Sequence, residues 1–121
     1  MESILIVDDD INLCTVLKEE LSEVGYNAEF VNSGDAAFEF FINNSADLIL
    51  LDLKMPGKNG FDVLRELHEK NIKAKVIVLT AYADVKSAID SAKLGANDFI
   101  SKPYDFDELL ITIRKVLQRD P

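Results

Sequence analysis

Asp8, Asp9, Asp52, Thr80 and Lys102 stand where buried strands should end, and their types suit a metal ion and a phosphoryl group. Ile4-Leu5-Ile6-Val7 runs into Asp8-Asp9-Asp10, and Leu48-Ile49-Leu50-Leu51 runs into Asp52. Val76-Ile77-Val78-Leu79 ends at Thr80, and Phe99-Ile100-Ser101 leads to Lys102-Pro103. Short apolar runs bounded by polar residues read as parallel strands buried on both faces. In an open parallel sheet, ligands bind outside the carboxyl ends of the strands. Carboxylates, a hydroxyl and an ammonium from distant parts of the sequence should therefore meet at one edge. Three carboxylates so close repel one another, and a cation must neutralise them. A hard divalent ion with oxygen ligands, Mg²⁺ or Mn²⁺, answers that need. Lys102 is a point charge for phosphoryl oxygens, and Thr80 offers them a hydroxyl. Phosphoryl transfer mainly requires positioning and charge neutralisation, so a carboxylate can serve as nucleophile. Asp52 is the best placed, ending the central strand before a loop that can open around the phosphoryl group.

The elements that must position these groups alternate strand and helix five times. Asp10 caps a first helix running to about Val24, with Leu13, Val16, Leu17, Leu21 and Val24 at helical spacing. Gly25 stops it. Asn27 to Val31 forms a second strand of mixed pattern. Ser33 or Asp35 starts a second helix, with Ala37, Phe40 and Phe41 on one side. After the third strand, Lys54 to Gly60 is a loop rich in turn residues. A third helix from about Phe61 to Glu69 should bury Leu64, Leu67 and Phe61. Asp84 caps a fourth with Val85, Ala88, Ile89 and Ala92 aligned, ended by Gly95. Asp105 and Glu108 form a capping-box-like pair before a fifth helix burying Phe106, Leu109, Leu110, Ile113, Val116 and Leu117. The uniformly apolar first, third and fourth strands should be central; Asn27, Glu29 and Asp98 mark the second and fifth as edges. The expected fold is a three-layer α/β/α, flavodoxin-like (βα)5 domain with a parallel sheet of order 2-1-3-4-5. Its switch point lies between strands one and three.

Composition narrows the function classes. The chain has 121 residues, room for one domain with a real core, and 48% hydrophobic content argues against disorder. A net charge of -9 disfavours a basic nucleic-acid or anionic-membrane face. One cysteine, Cys14, allows neither a disulfide framework nor a zinc cluster. No apolar stretch approaches the ~20 residues that span a bilayer, and the start enters a strand without a signal peptide. The expectation is a cytoplasmic protein, one domain over residues 1–121, with a linker beginning near Arg119. Other conspicuous residues have plain readings. Asp10 is a cap, His68 a solvated helix residue, Cys14 a packing residue and Met55 part of the loop packing. Tyr82 and Phe99 are aromatic packing near the site.

Taken together, the motifs resemble the receiver domain of bacterial two-component response regulators over essentially the whole length. The residues carrying the resemblance are Ile6-Val7-Asp8-Asp9-Asp10, Leu50-Leu51-Asp52-Leu53-Lys54-Met55-Pro56, Asn59-Gly60, Leu79-Thr80-Ala81, Leu94-Gly95-Ala96 and Lys102-Pro103. The resemblance implies that Asp52 is the phosphoacceptor. It implies Mg²⁺ bound by Asp9, by Asp8 through water, by Asp52 and by the main-chain carbonyl of Lys54. Thr80 would be the switch hydroxyl, Lys102 the phosphate-binding lysine and Phe99 the switch aromatic. A cis Lys102-Pro103 peptide is expected. Phe99 departs from relatives with tyrosine there, lacking the phenol. The implied partners are a sensor histidine kinase or a histidine phosphotransfer protein. An output domain or downstream protein would read the face of the fourth helix, fifth strand and fifth helix. The implied role is signalling phosphoacceptor with Mg²⁺-dependent self-phosphorylation and self-dephosphorylation, rather than enzyme.

Two other classes fit less well. A haloacid-dehalogenase-type phosphatase also uses an aspartate after a parallel strand, but needs a second aspartate two residues later, where this chain has Lys54. A flavodoxin would hold its phosphate in a hydroxyl- and glycine-rich loop after strand one, where Asp8-Asp9-Asp10 would repel it.

Overall fold

A computed structural model describes residues 2–81 and 84–118. Five strands alternate with five helices: β1 (Ser3–Val7), α1 (Ile11–Glu23), β2 (Asn27–Val31), α2 (Gly34–Asn43), β3 (Leu48–Leu51), α3 (Gly60–Glu69), β4 (Lys75–Thr80), α4 (Val85–Lys93), β5 (Asp98–Ser101) and α5 (Phe106–Gln118). All pairings are parallel, in the order β2-β1-β3-β4-β5. This is the flavodoxin-like arrangement expected, with β2 and β5 at the edges.

The apolar runs show no alternation because both faces of the sheet are covered. Ile4 and Ile6, Leu48 and Leu50, and Ile77 and Leu79 pack under α1 and α5, against Leu17, Leu21, Leu109 and Ile113. Leu5 and Val7, Ile49 and Leu51, and Val76 pack on the other side, against Phe38 of α2 and Val63, Leu64 and Leu67 of α3. Period-2 geometry thus splits each run between two cores. Asp10 caps α1, its carboxylate accepting from Leu13 N at 3.1 Å. Ser33 caps α2, accepting from Ala36 N at 3.1 Å. Gly25 and Gly95, both at positive φ, follow the C-caps of α1 and α4. The Asp105 carboxylate accepts from Asp107 N at 2.8 Å at the start of α5.

Several faces differ from the sequence reading. In α1, Val16 and Val24 are exposed, and Cys14 joins Leu17 and Leu21 in the core. A cysteine completes the i, i+3, i+7 stripe that valine was expected to share. In α2, Phe38 is buried, while Phe40 and Phe41 are half-buried and meet edge to face. In α3, Val63 takes a core position and Phe61 stays half-buried. The largest difference is α4, where Val85 is 76% and Ile89 49% exposed. Ser91 faces inward instead, its hydroxyl donating to Ala88 O at 3.0 Å. Apolar spacing sets a stripe's angle on a helix; the direction in which the helix docks decides whether that stripe is covered.

Burial pushes the Cys14 thiol up to about 12, with Asp8 and Asp10 adding to the shift. It is therefore a protonated packing group, as expected, and not a nucleophile. His68 is exposed and Met55 buried, also as expected. Tyr82, the linker near Arg119 and the chain's first residue lie outside the described residues.

Candidate phosphoacceptor site

The ladder itself carries the polar residues to one edge, each continuing it one step beyond its strand. Asp8 N donates to Val31 O at 3.2 Å, and Asp52 N donates to Val7 O at 3.0 Å. Lys102 N donates to Thr80 O at 2.9 Å, and the following Lys102-Pro103 peptide is cis. Asp8, Asp9 and Asp52 each offer a carboxylate oxygen, all within 4.8 Å of one another. Asp8 and Asp52 are buried, Asp9 is exposed, and Thr80 is fully buried. A cavity of about 410 Å³ opens over them, lined by Asp9, Asp52, Lys54, Pro56, Ala81 and Lys102.

Lys102 supplies the internal counter-charge. Its Nζ lies 2.6 Å from Asp8 Oδ2 and 3.6 Å from Asp52 Oδ2. Burial opposes the Lys102 ammonium, but Asp8 and then Asp52 outweigh it and hold the group above its ordinary range. Burial raises Asp8 from its ordinary value, against the pull of Lys102 and of the Asp10 N–H. The pair's carboxylate–ammonium form is the one its 2.6 Å geometry describes. Both Asp8 oxygens are held: Oδ1 accepts from Asp10 N at 3.0 Å, and Oδ2 from Lys102, which leaves each a further lone pair.

The donor set fits a hard divalent cation. It is all oxygen, it comes from three clustered carboxylates, and exposed Asp9 leaves room for the water that Mg²⁺ retains. Lys54 lines the cavity, and its N–H donates to Asp52 Oδ1 at 3.3 Å, orienting that carboxylate.

Thr80 and Phe99 share a face. Leu79 and Ile100 pack in the core under α1 and α5, so alternation turns Thr80 and Phe99 to the side of α2 and α3. Phe99 pairs in register with Val78, two residues before Thr80.

Three supports were not legible in the residue types. Asn32, the residue after β2, donates from Nδ2 to Asp8 O at 2.8 Å. Its signal was the inferred strand order, which sets the ends of β1 and β2 side by side. Lys58 ties the loop after Asp52 to two helices, bonding Glu66 and, at 3.2 Å, Asp35, with its Nζ 4.9 Å from the Phe38 ring centroid. Asn59 and Asp62 form a reciprocal capping box at the start of α3, at 3.0 and 3.1 Å. Gly60 follows at a forced close approach, its N donating to Leu53 O at 2.9 Å.

Residues 4–114 match the family model for the response regulator receiver domain. The chain belongs to that family. It is 41% identical over 114 residues to the transcriptional regulatory protein ZraR of Escherichia coli K12, covering 94% of this chain and 26% of that protein. It is 37% identical over 121 residues to the response regulator ArlR of Staphylococcus saprophyticus, covering 100% of this chain and 54% of that protein. This receiver thus spans about a quarter to a half of the curated relatives it matches. Among solved structures, the response regulator TrrA of Thermotoga maritima, in complex with Mg²⁺ and BeF, is 39% identical. It superposes with a TM-score of 0.85 over 96% of this chain and 99% of that one. The receiver domain of a LuxO repressor protein from Vibrio parahaemolyticus is 32% identical with a TM-score of 0.92, over 98% and 91%. The protein is a two-component receiver whose acidic cluster fits a phosphoacceptor site.

Gly60→Ala tests how tightly that site is closed. A Cβ there would lie 2.5 Å from Asp52 O and 2.6 Å from Leu53 Cα, both backbone atoms. Alanine's propensity gain, about 1 kcal/mol, is outweighed by the required backbone shift. Urea unfolding should show a net loss of about 1–3 kcal/mol. An unchanged or raised midpoint would contradict the close approach.

Proposed function

We propose that Asp52 accepts the phosphoryl group, from a histidine kinase or histidine phosphotransfer protein and from small acyl phosphates. The observation that carries this is the convergence of Asp8, Asp9 and Asp52 with Lys102 at one sheet edge under an open cavity. Asp8, Asp9, Asp52 and the main-chain carbonyl of Lys54 would hold Mg²⁺, or Mn²⁺ in its place. The ion, when bound, supplies charge neutralisation on the phosphoryl oxygens. Asp52 attacks phosphorus through a carboxylate oxygen while the bond from phosphorus to the donor breaks. Lys102, already between Asp8 and Asp52, moves only a short way to bind a phosphoryl oxygen. Lys54 overhangs the acyl phosphate and governs the access of water, and so its hydrolysis.

The switch runs through Thr80 and Phe99. The phosphoryl group draws the Thr80 hydroxyl toward it, and Phe99 turns into the vacated space. The surface of α4, β5 and α5 then changes for an output domain, a downstream protein or onward transfer. Phosphorylation biases this equilibrium only by its differential interaction with the two states. Taking 1:99 to 99:1 needs about 5.5 kcal/mol, and one charge-assisted hydrogen bond supplies roughly 1.5–3 kcal/mol. Lys102 and the loop after Asp52 therefore share the work. No helix among the described residues is long and apolar enough to cross a membrane; a cytoplasmic setting, without direct nucleic-acid or membrane contact by this domain, completes the proposal. Residues 1–121 form one receiver domain in this reading. A dehalogenase-type phosphatase stays disfavoured by Lys54, whose side chain offers no carboxylate.

Incubation with acetyl phosphate and Mg²⁺ should add one phosphoryl group, labile to hydroxylamine. Asp52→Asn should stay unmodified, and Asp9→Ala should lose the metal requirement's benefit and react at least about ten-fold more slowly. Modification of a serine or threonine, or undiminished labelling of Asp52→Asn, would overturn the assignment.

Thr80→Ala should still accept phosphate but respond only partly. Amide shifts on phosphorylation should spread from residue 84 to Leu110 in the native chain and shrink in the variant. A response confined to the loop around Asp52 would show that this chain lacks the switch.

A further inference from the structure

We infer that Asn32 is a positioning residue for the cation site, acting through the backbone of Asp8. The inference rests on the reading of Asp8, Asp9 and Asp52 as the metal-holding cluster. β2 ends at Val31, and Val31 O takes the Asp8 N–H at 3.2 Å. One residue on, the Asn32 side chain takes over from the ladder, donating to Asp8 O at 2.8 Å. Asp8's backbone N–H and C=O are thereby held by Val31, the last residue of β2, and by Asn32, the residue after it. The same carbonyl also receives the Cys14 thiol, with Sγ 3.5 Å away, and Asn32 Nδ2 lies 3.7 Å from that sulfur.

The consequence lies in the peptide that this carbonyl begins. It joins Asp8 to Asp9, and its plane sets where the exposed Asp9 carboxylate starts relative to the buried Asp8 carboxylate. Strand pairing has ended by this point. Without Asn32, the carbonyl would keep only the long contact from a thiol, a weak donor. The peptide could then rotate, and the two carboxylates would lose their common aim. Outer partners of metal-binding groups commonly change metal affinity in this way.

Asn97 supplies a matched control. Its Oδ1 accepts from Val76 N at 2.8 Å, at the opposite end of the sheet, where β4 begins. It is the same residue type, making a side-chain bond of the same length to a strand backbone.

The test compares Mg²⁺ dissociation constants of the native chain, Asn32→Ala and Asn97→Ala by amide NMR titration. Asn32→Ala should bind Mg²⁺ about five-fold or more weakly, and Asn97→Ala should match the native chain. Equal affinity in all three, or equal losses in both variants, would overturn the inference. A second measurement needs no variant. The Asn32 side-chain amide signals of the native chain should shift on Mg²⁺ addition while those of Asn97 stay still. Unmoved Asn32 signals would overturn it as well. If the native chain neither binds Mg²⁺ nor is phosphorylated at Asp52, the functional reading fails; if it does both and Asn32→Ala is unaffected, only this inference fails.

Discussion

Everything at the working edge of this sheet depends on balancing three carboxylates that the strand order forces together. Asp8 and Asp52 are buried, and burying an unpaired charge costs several kcal/mol. The resident balance is Lys102, at 2.6 Å from one and 3.6 Å from the other. A single ammonium leaves the three-carboxylate cluster negative by two charges, which is the charge of one divalent cation. A phosphoryl group on Asp52, as proposed, would add negative charge that Lys102 and a bound cation would together offset. The chemistry and the fold's tolerance of its own acidic edge have one cause.

Rigidity around that edge comes from backbone as much as from side chains. Asp8, Asp52 and Lys102 are each placed by a ladder bond extending one residue past a strand. Gly60 brings the start of α3 against the Asp52 carbonyl, and the Asn59–Asp62 box holds that start in place. Lys58 ties the intervening loop to α2 and α3. The loop after Asp52 is therefore anchored at its far end, while Lys54 is exposed beside the cavity. Both faces of the sheet are core, and the α2 and α3 side also carries Thr80 and Phe99.

The strand order, the convergence of Asp8, Asp9, Asp52 and Lys102, and the caps at Asp10 and Asp84 were legible because they rest on local rules. Apolar runs of four residues can only be buried strands here, and polar residues at their ends can only meet at the carboxyl edge. Helix faces were less legible. Val16 and Cys14 compete for one stripe of α1, and hydropathy favours the valine while docking geometry favours the cysteine. On α4, the Val85–Ile89 stripe points outward and Ser91 points inward, its hydroxyl satisfied inside its own helix. Asn32, Lys58 and Gly60 act through distances between elements, which periodicity does not contain. Asn59 and Gly60 were visible as a matching motif, but the closeness of the Asp52 and Leu53 backbone, which leaves no room for a Cβ, was not.

If Lys102 offsets one charge of the acidic cluster and leaves two for a divalent cation, its removal must strengthen the cluster's hold on Mg²⁺. The most direct test is the Mg²⁺ dissociation constant of Lys102→Met against the native chain, by calorimetry at low salt, with folding confirmed by circular dichroism. Removing the internal cation should make Mg²⁺ bind several-fold more tightly, since the carboxylates then lack their resident partner. Unchanged or weaker binding in a folded variant would contradict the account.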